Sequence, residues 1–185
     1  MSLKGGETLA VTGANGAGKS TLLRILGGVL TPSNGEVRLC INERPVALER
    51  HPLHVGIVAP YLNVYDGFSP RENLRFIGRA RRLADTSDRI IGTLNMVGLS
   101  DRMDDPVATF SSGMKQRVKF AAALLARPAV LLLDEPRVNL DAAGLDMVDH
   151  LIDLQQQNGC IVIVATNDSH ETERHNQIIH IEDFR

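Results

Sequence analysis

The chain contains no tryptophan, and aromatic residues fill only 4% of its 185 positions. That scarcity argues against a surface that stacks unpaired bases, which needs a row of aromatic rings. An excess of basic charge is missing too: 20 Lys and Arg stand against 22 Asp and Glu, a formal net charge of -2. Domains that neutralise nucleic-acid phosphates are usually basic, so no nucleic-acid partner is expected. Long apolar runs are also absent. The strongest, Val130-Leu131-Leu132-Leu133, ends at once in Asp134-Glu135, far short of the ~20 residues that span a bilayer. The opening Met-Ser-Leu-Lys-Gly-Gly lacks the apolar stretch of a signal peptide. Cys40 and Cys160 are the only cysteines and lack metal-ligand spacing, so they read as reduced thiols in strands rather than a disulfide. Together these features lead us to expect a cytoplasmic domain. A composition 43% hydrophobic and 23% charged suits a globular core that needs no staples.

Strand-like and helix-like stretches alternate, which predicts an α/β protein with a mostly parallel sheet flanked by helices. Strands are expected at Thr8–Thr12, Glu36–Ile41, His54–Ala59, Val130–Leu133, Ile161–Ala165 and Gln177–Ile181. Helices are expected at Ser20–Gly27, Ser87–Val97, Ser112–Ala126, Ala142–Gln157 and Ser169–Arg174. Another helix opens at Ser69-Pro70-Arg71-Glu72, where a capping serine, a first-turn proline and a glutamate three positions on coincide. Its apolar face would carry Leu74, Ile77, Ala80 and Ala84, and an arginine stripe would carry Arg71, Arg75, Arg79 and Arg82. The whole chain, 1–185, reads as one domain. A core of about 1–68 and 115–185 is interrupted by an inserted helical lobe at about 69–114.

Gly13-Ala14-Asn15-Gly16-Ala17-Gly18-Lys19-Ser20 matches G-x-x-x-x-G-K-[ST] between an expected strand and an expected helix. Glycines let successive N–H groups turn inward onto phosphate oxygens, and the helix start adds the positive end of its dipole. Lys19 would reach the β- and γ-phosphates, Ser20 would ligate Mg²⁺, and Thr21 would bond the α-phosphate. The apolar strand ending in Asp134-Glu135 supplies a second element at the carboxyl edge of the sheet. Asp134 is placed for Mg²⁺, and Glu135 to orient and deprotonate a water. Alone, such a strand is as often the start of a solvated loop; the glycine loop gives the pair its meaning.

Phe110-Ser111-Ser112-Gly113-Met114-Lys115-Gln116-Arg117 lies between these elements, directly ahead of a helix. Here the chain resembles the ATP-binding-cassette (ABC) ATPases, whose signature segment, usually L-S-G-G-Q, occupies this place. Asn139-Leu140-Asp141 is similar to the family's loop that joins two active sites across a dimer. The resemblance runs from about Ser2 to about Ile181. It implies a P-loop NTPase fold, ATP and Mg²⁺ as ligands, and Glu135 as catalytic residue. It also implies a nucleotide site made by Gly13, Ala14, Asn15, Gly16, Ala17, Gly18, Lys19, Ser20 and Thr21, closed by Ser111 and Gly113 of the other protomer.

Five departures from the family pattern stand out. Ser112 replaces a glycine and Met114 a glutamine in the signature, while Ser111 and Gly113 remain. Pro60, in Val55-Gly56-Ile57-Val58-Ala59-Pro60-Tyr61, takes the place of a metal-sensing glutamine; Asn63 could substitute only if the loop shifts. Asn167 replaces a histidine that bonds the γ-phosphate, and His170 reads as a surface residue. Pro136-Arg137-Val138 replaces small hydroxylic residues, with Arg137 facing either an interface or solvent. An early strand and an adenine-stacking aromatic are not found ahead of Ser2-Leu3-Lys4-Gly5-Gly6-Glu7, so weaker and less base-selective nucleotide binding is expected, whether the sequence is truncated or the protein is short.

The resemblance implies an ATP-hydrolysing subunit on the cytoplasmic face of a membrane. It would close as an ATP-dependent homodimer or cassette heterodimer and drive a separate permease chain. The docking cleft would lie near Tyr61–Arg82, where the arginine stripe is either a plain solvated face or a docking element. The single short cassette and the Ser-Ser-Gly-Met spelling look nearest to haem-exporter-type subunits. The alternatives are a soluble ABC-type ATPase and a weakly hydrolysing, nucleotide-dependent regulator, the latter favoured by Pro60 and Asn167.

Overall fold

The computed structural model describes residues 1–84, 86–172 and 174–184, and of Ser169, His170 and Phe184 the backbone alone. The expected surface position of His170 therefore lies outside the described side chains. In chain order the elements are β1 (Thr8–Thr12), α1 (Lys19–Leu26), β2 (Cys40–Ile41), β3 (Arg44–Pro45), α2 (His51–His54) and β4 (Val55–Val58). Then come α3 (Pro70–Ala80), α4 (Thr86–Met96), α5 (Ser112–Leu124), β5 (Val130–Asp134), α6 (Ala142–Gln157), β6 (Ile161–Ala165), α7 (Ser169–Thr172) and β7 (Gln177–His180).

Five strands form one sheet in the order β4-β5-β6-β1-β7, and every pair in it is parallel. The apolar runs are continuous because the central strands are covered on both faces. Leu131 and Leu133 of β5, with Val162 and Val164 of β6, join one buried cluster with residues of α5 and α6. Val130 and Leu132, with Ile163 and Ala165, join another that contains Leu9, Val11 and Leu23. Alternation along each strand thus places α1 on one side of the sheet and α5 with α6 on the other. Leu74 of α3 and Ile90 and Leu94 of α4 belong to the same cluster as Leu131, so the helical stretch packs on the core rather than forming a separate one.

The start of α3 follows its sequence signal. Ser69 Oγ accepts from the Glu72 N–H at 3.2 Å, and Glu72 Oε2 accepts from the Ser69 N–H at 2.8 Å. The expected end is wrong. The helix stops at Ala80, Arg81 caps it, and Arg82 turns to φ 54°, so Ala84 and Arg82 leave the faces assigned to them. The strand expected over Glu36–Ile41 contracts to Cys40–Ile41, which pairs only with Arg44–Pro45. Asn42 and Glu43, at φ 50° and 64°, make the two-residue hairpin, and 36–39 find no strand partner. The strand expected over His54–Ala59 spans Val55–Val58, since His54 closes α2. The third expected helix ends at Leu124 rather than Ala126; α7 is described over Ser169–Thr172, and Arg174 lies in a turn. The last strand ends at His180, and Ile181–Phe184 winds into a 3-10 turn. Cys40 is exposed in β2. Cys160 precedes β6 rather than lying in it, and burial pushes its thiol up to about 12.

Candidate nucleotide-binding site

Because the sheet is parallel, the segments leaving β1, β5 and β6 emerge at one edge, where ligands bind in such folds. The segment after β1 is the glycine loop. Gly18 caps α1 from φ 114°, and Gly13 stands at φ 144°, conformations that a side chain would strain. Lys19 opens α1 and is only 6% exposed. Its ammonium folds back across the loop, donating to the Gly13 carbonyl at 2.6 Å, the Ala14 carbonyl at 3.3 Å and Asn167 Oδ1 at 2.7 Å. Asn167 Nδ2 donates in turn to Asn15 Oδ1 at 2.7 Å. Asn167, the second residue after β6, is therefore tied to both the lysine and the tip of the loop, which also holds Gly16 and Ala17. Ser20 and Thr21 follow Lys19 in the first turn of α1.

Asp134 ends β5 and is 3% exposed. Glu135 follows at φ 50°, and its N–H donates to the Ala165 carbonyl at 2.9 Å. That bond fixes the acid beside the end of β6. Burial raises the Glu135 carboxyl above the usual carboxylate range; the Lys19 ammonium draws it partly back, and Asp134 adds to the rise. Glu135 thus lies within electrostatic reach of both Lys19 and Asp134. Glu135 also lines a cavity of about 630 Å³ together with Pro60, Asn63, Ser112, Lys119 and Asn139. Pro60 brings no side-chain oxygen to that cavity, whereas Asn63 brings an amide.

Ser111 caps α5, its hydroxyl accepting from the Met114 N–H at 3.3 Å. A Cβ on Gly113 would stand 3.5 Å from the Asn139 carbonyl oxygen, so the signature helix begins against the Asn139-Leu140 turn. Among the described residues no hydrogen bond links Ser111 or Gly113 to positions 13–20. The structure thus gathers the loop, Asp134, Glu135 and Asn167, while Ser112 of the signature shares the cavity with Glu135. Arg137 faces α6, where it pairs with Asp149.

Two acids escaped the sequence reading. Glu182 accepts from the Ala14 N–H at 2.6 Å, a contact across 168 positions that no local pattern signals. Glu171 is 4% exposed. Burial raises its carboxyl; Thr166 and Arg137 oppose the rise, while Asp168 and Glu135 add to it. A glutamate on the short α7, beside a strand end, carried no such signal.

No group of three or more His, Cys, Asp or Glu among the described residues is arranged to hold a metal ion. The Ser20 hydroxyl and the Asp134 carboxylate, which accepts no hydrogen bond from any described residue, are hard oxygen donors suited to Mg²⁺ alongside phosphate oxygens. Nor is any described helix long and apolar enough to cross a membrane.

A parallel sheet with a Gly-Lys-Ser loop after its first strand and paired acids after another defines a P-loop nucleoside-triphosphate-binding core. A family model described as ABC transporter matches residues 1–138. The ATP-binding protein LolD of a lipoprotein-releasing system in Acinetobacter baylyi is 34% identical, over 99% of this chain and 84% of its own length. An uncharacterised ABC transporter ATP-binding protein of Bacillus subtilis, YhcH, is 35% identical over 90% of this chain and 55% of its own. The chain thus spans about half the length of some curated relatives. Among solved structures, an ATP-binding subunit of an ABC transporter aligns with TM-score 0.83 at 28% identity, over 98% of this chain and 78% of the other. The cassette MJ0796, as a post-hydrolysis dimer bound to ADP and Pi, aligns with TM-score 0.79 at 27% identity, over 97% and 83%. The chain belongs to the ABC transporter family.

Proposed function

We propose that the chain is the ATP-binding and hydrolysing subunit of an ABC transporter. It would work from the cytoplasmic face as a head-to-tail pair that drives a separate membrane permease, with 1–185 acting as one cassette domain. The observation that carries this reading is the meeting of Lys19, Asn167, Asp134 and Glu135 at one sheet edge, with Glu135 raised by burial.

In this reading the N–H groups of 13–21 cradle the α- and β-phosphates, and Lys19 exchanges its loop carbonyls for β- and γ-phosphate oxygens. Asn167, bonded to Lys19, meets the γ-phosphate as a neutral donor. Ser20 and Asp134 would hold a magnesium ion, which would neutralise phosphate charge when bound. Glu135 takes a proton from the attacking water as the water oxygen bonds to the γ-phosphorus and the bond to ADP breaks. The raised carboxyl suits a base, since a higher pKa brings it nearer to neutrality. Ser111 and Gly113, which make no hydrogen bond to their own loop among the described residues, would close over the partner protomer's nucleotide. Exposed Tyr65, Phe68 and Phe76 cluster, with ring centroids 5.4 Å and 5.2 Å from Tyr65. A patch of this kind marks a contact surface, and it supports permease docking near Tyr61–Arg82.

Single-turnover hydrolysis by Glu135→Gln tests the catalytic assignment. The rate is expected to fall about 100-fold or more; an unchanged rate excludes Glu135 as the base. The neutral amide of Asn167 on Lys19 favours a second reading, a slow hydrolase acting as a nucleotide-dependent switch. Asn167→His raising the wild-type rate would support it.

A further inference from the structure

The edge strand β7 lies parallel beside β1, with His180 opposite Thr12. Side chains tie the two ends together. Thr12 Oγ1 donates to the Ile179 carbonyl at 3.1 Å and lies 2.6 Å from His180 Nδ1. The two segments stay in contact past the sheet. Glu182 Oε1 accepts from the Ala14 N–H at 2.6 Å. A Cβ on Gly13 would stand 2.6 Å from Glu182 Oε2 and 2.7 Å from Ile181 Cγ2, so only glycine admits this approach. Ile181 also reaches the other end of the loop, where a Cβ on Gly18 would stand 3.6 Å from its Cδ1. The turn after β7 therefore touches the glycine loop at both ends. Lys19 holds the same stretch from its carbonyls, at Gly13 and Ala14. A carboxylate in this place has a cost, because like charge opposes an incoming triphosphate.

We propose that Glu182 is a positioning residue for nucleotide binding, holding the base of the glycine loop when Lys19 leaves it for phosphate. The proposal rests on the reading of the loop as a phosphate cradle and adds a residue to it. Lys19 gives up two loop carbonyls when it turns to the β- and γ-phosphate oxygens. The bond from Ala14 to Glu182 requires no such exchange, since Glu182 follows a strand that β1 holds in register. With its own N–H taken, Ala14 anchors the loop, and the donors to phosphate are those that follow it. The tie serves ground state and transition state alike, so it acts on binding and not on the chemical step. What the loop uses is the accepting oxygen; the charge only opposes the phosphates.

Steady-state hydrolysis by Glu182→Ala and Glu182→Gln tests this, together with NMR exchange of the Ala14 amide proton, without nucleotide and with MgADP. Glu182→Ala is expected to raise KM for ATP about fivefold and to leave kcat within about twofold. Its Ala14 proton should exchange about fivefold faster than in the wild type, in both states. Glu182→Gln keeps an accepting oxygen without the charge, so its KM should stay at or below the wild-type value and its Ala14 proton should stay protected. An unchanged KM in Glu182→Ala overturns the proposal. So does a lowered one, which would make Glu182 a competitor of phosphate, and so does a loss confined to kcat. Glu182→Gln as impaired as Glu182→Ala overturns it as well, since packing or charge would then be what matters. Should Glu182→Ala fail to fold, the other two proteins decide. Protection of Ala14 in both states with wild-type KM in Glu182→Gln supports the proposal, and an Ala14 proton that loses protection with MgADP overturns it. A wild type that binds no nucleotide overturns the cradle reading and this proposal with it.

Discussion

Glu135 sits under three influences of unequal size: burial and Asp134 raise its carboxyl, and Lys19 lowers it, with burial the largest. A base works only when ionised, and a raised acid gains its proton at a higher pH than an ordinary carboxylate. Single-turnover hydrolysis is therefore expected to fall on the acid side at a pH above the usual glutamate range. Measured under one ionic strength, a limb at or below that range would contradict the assignment. The linkage has the opposite sign for folding. Glu135 and Glu171 bind protons more tightly folded than unfolded, so they favour the fold at low pH and that contribution is lost as pH rises through their raised values. At this scale the sequence was most informative where a motif specified each residue type, from Gly13 to Ser20. The Lys19–Asn167–Asn15 chain of hydrogen bonds needed coordinates, because its members lie 148 and 152 positions apart.

Several elements buried on one or both faces were legible to the residue. Thr8–Thr12, Ala142–Gln157 and Ile161–Ala165 fall where apolar pattern and punctuation placed them. Elements at the margin were not. Glu36 to Leu39 lack a neighbouring strand, and propensity alone does not make a ladder. Close packing sets other demands that no pattern carries. Gly56 of β4 lies under α5, and a Cβ there would stand 2.6 Å from the Ala123 carbonyl oxygen. Gly56→Ala must shift backbone and is expected to cost about 1–3 kcal/mol. Gly92 lies exposed in α4 with open space around it, so Gly92→Ala is expected to stabilise by about 0.5–1 kcal/mol through helix propensity. Urea unfolding of both variants checks the opposite signs.

Across the whole molecule, the site residues fall into two sets, with no hydrogen bond from Ser111 or Gly113 to the glycine loop among the described residues. The loop, Asp134, Glu135 and Asn167 share an edge, while Ser111 and Gly113 begin α5 against Asn139 and Leu140. The signature motif and the glycine loop were both visible in the sequence; how α3, α4 and α5 pack over the sheet was not. In the proposed function, two chains placed head to tail would bring each group to the other's nucleotide, and that pairing is its centre. It is tested most directly by the mass of Glu135→Gln in solution, by analytical ultracentrifugation with and without MgATP. Slowed hydrolysis should hold the closed pair, so the mass should double with MgATP and return to one chain on its removal. A protein that binds ATP and stays a single chain at every concentration would contradict it.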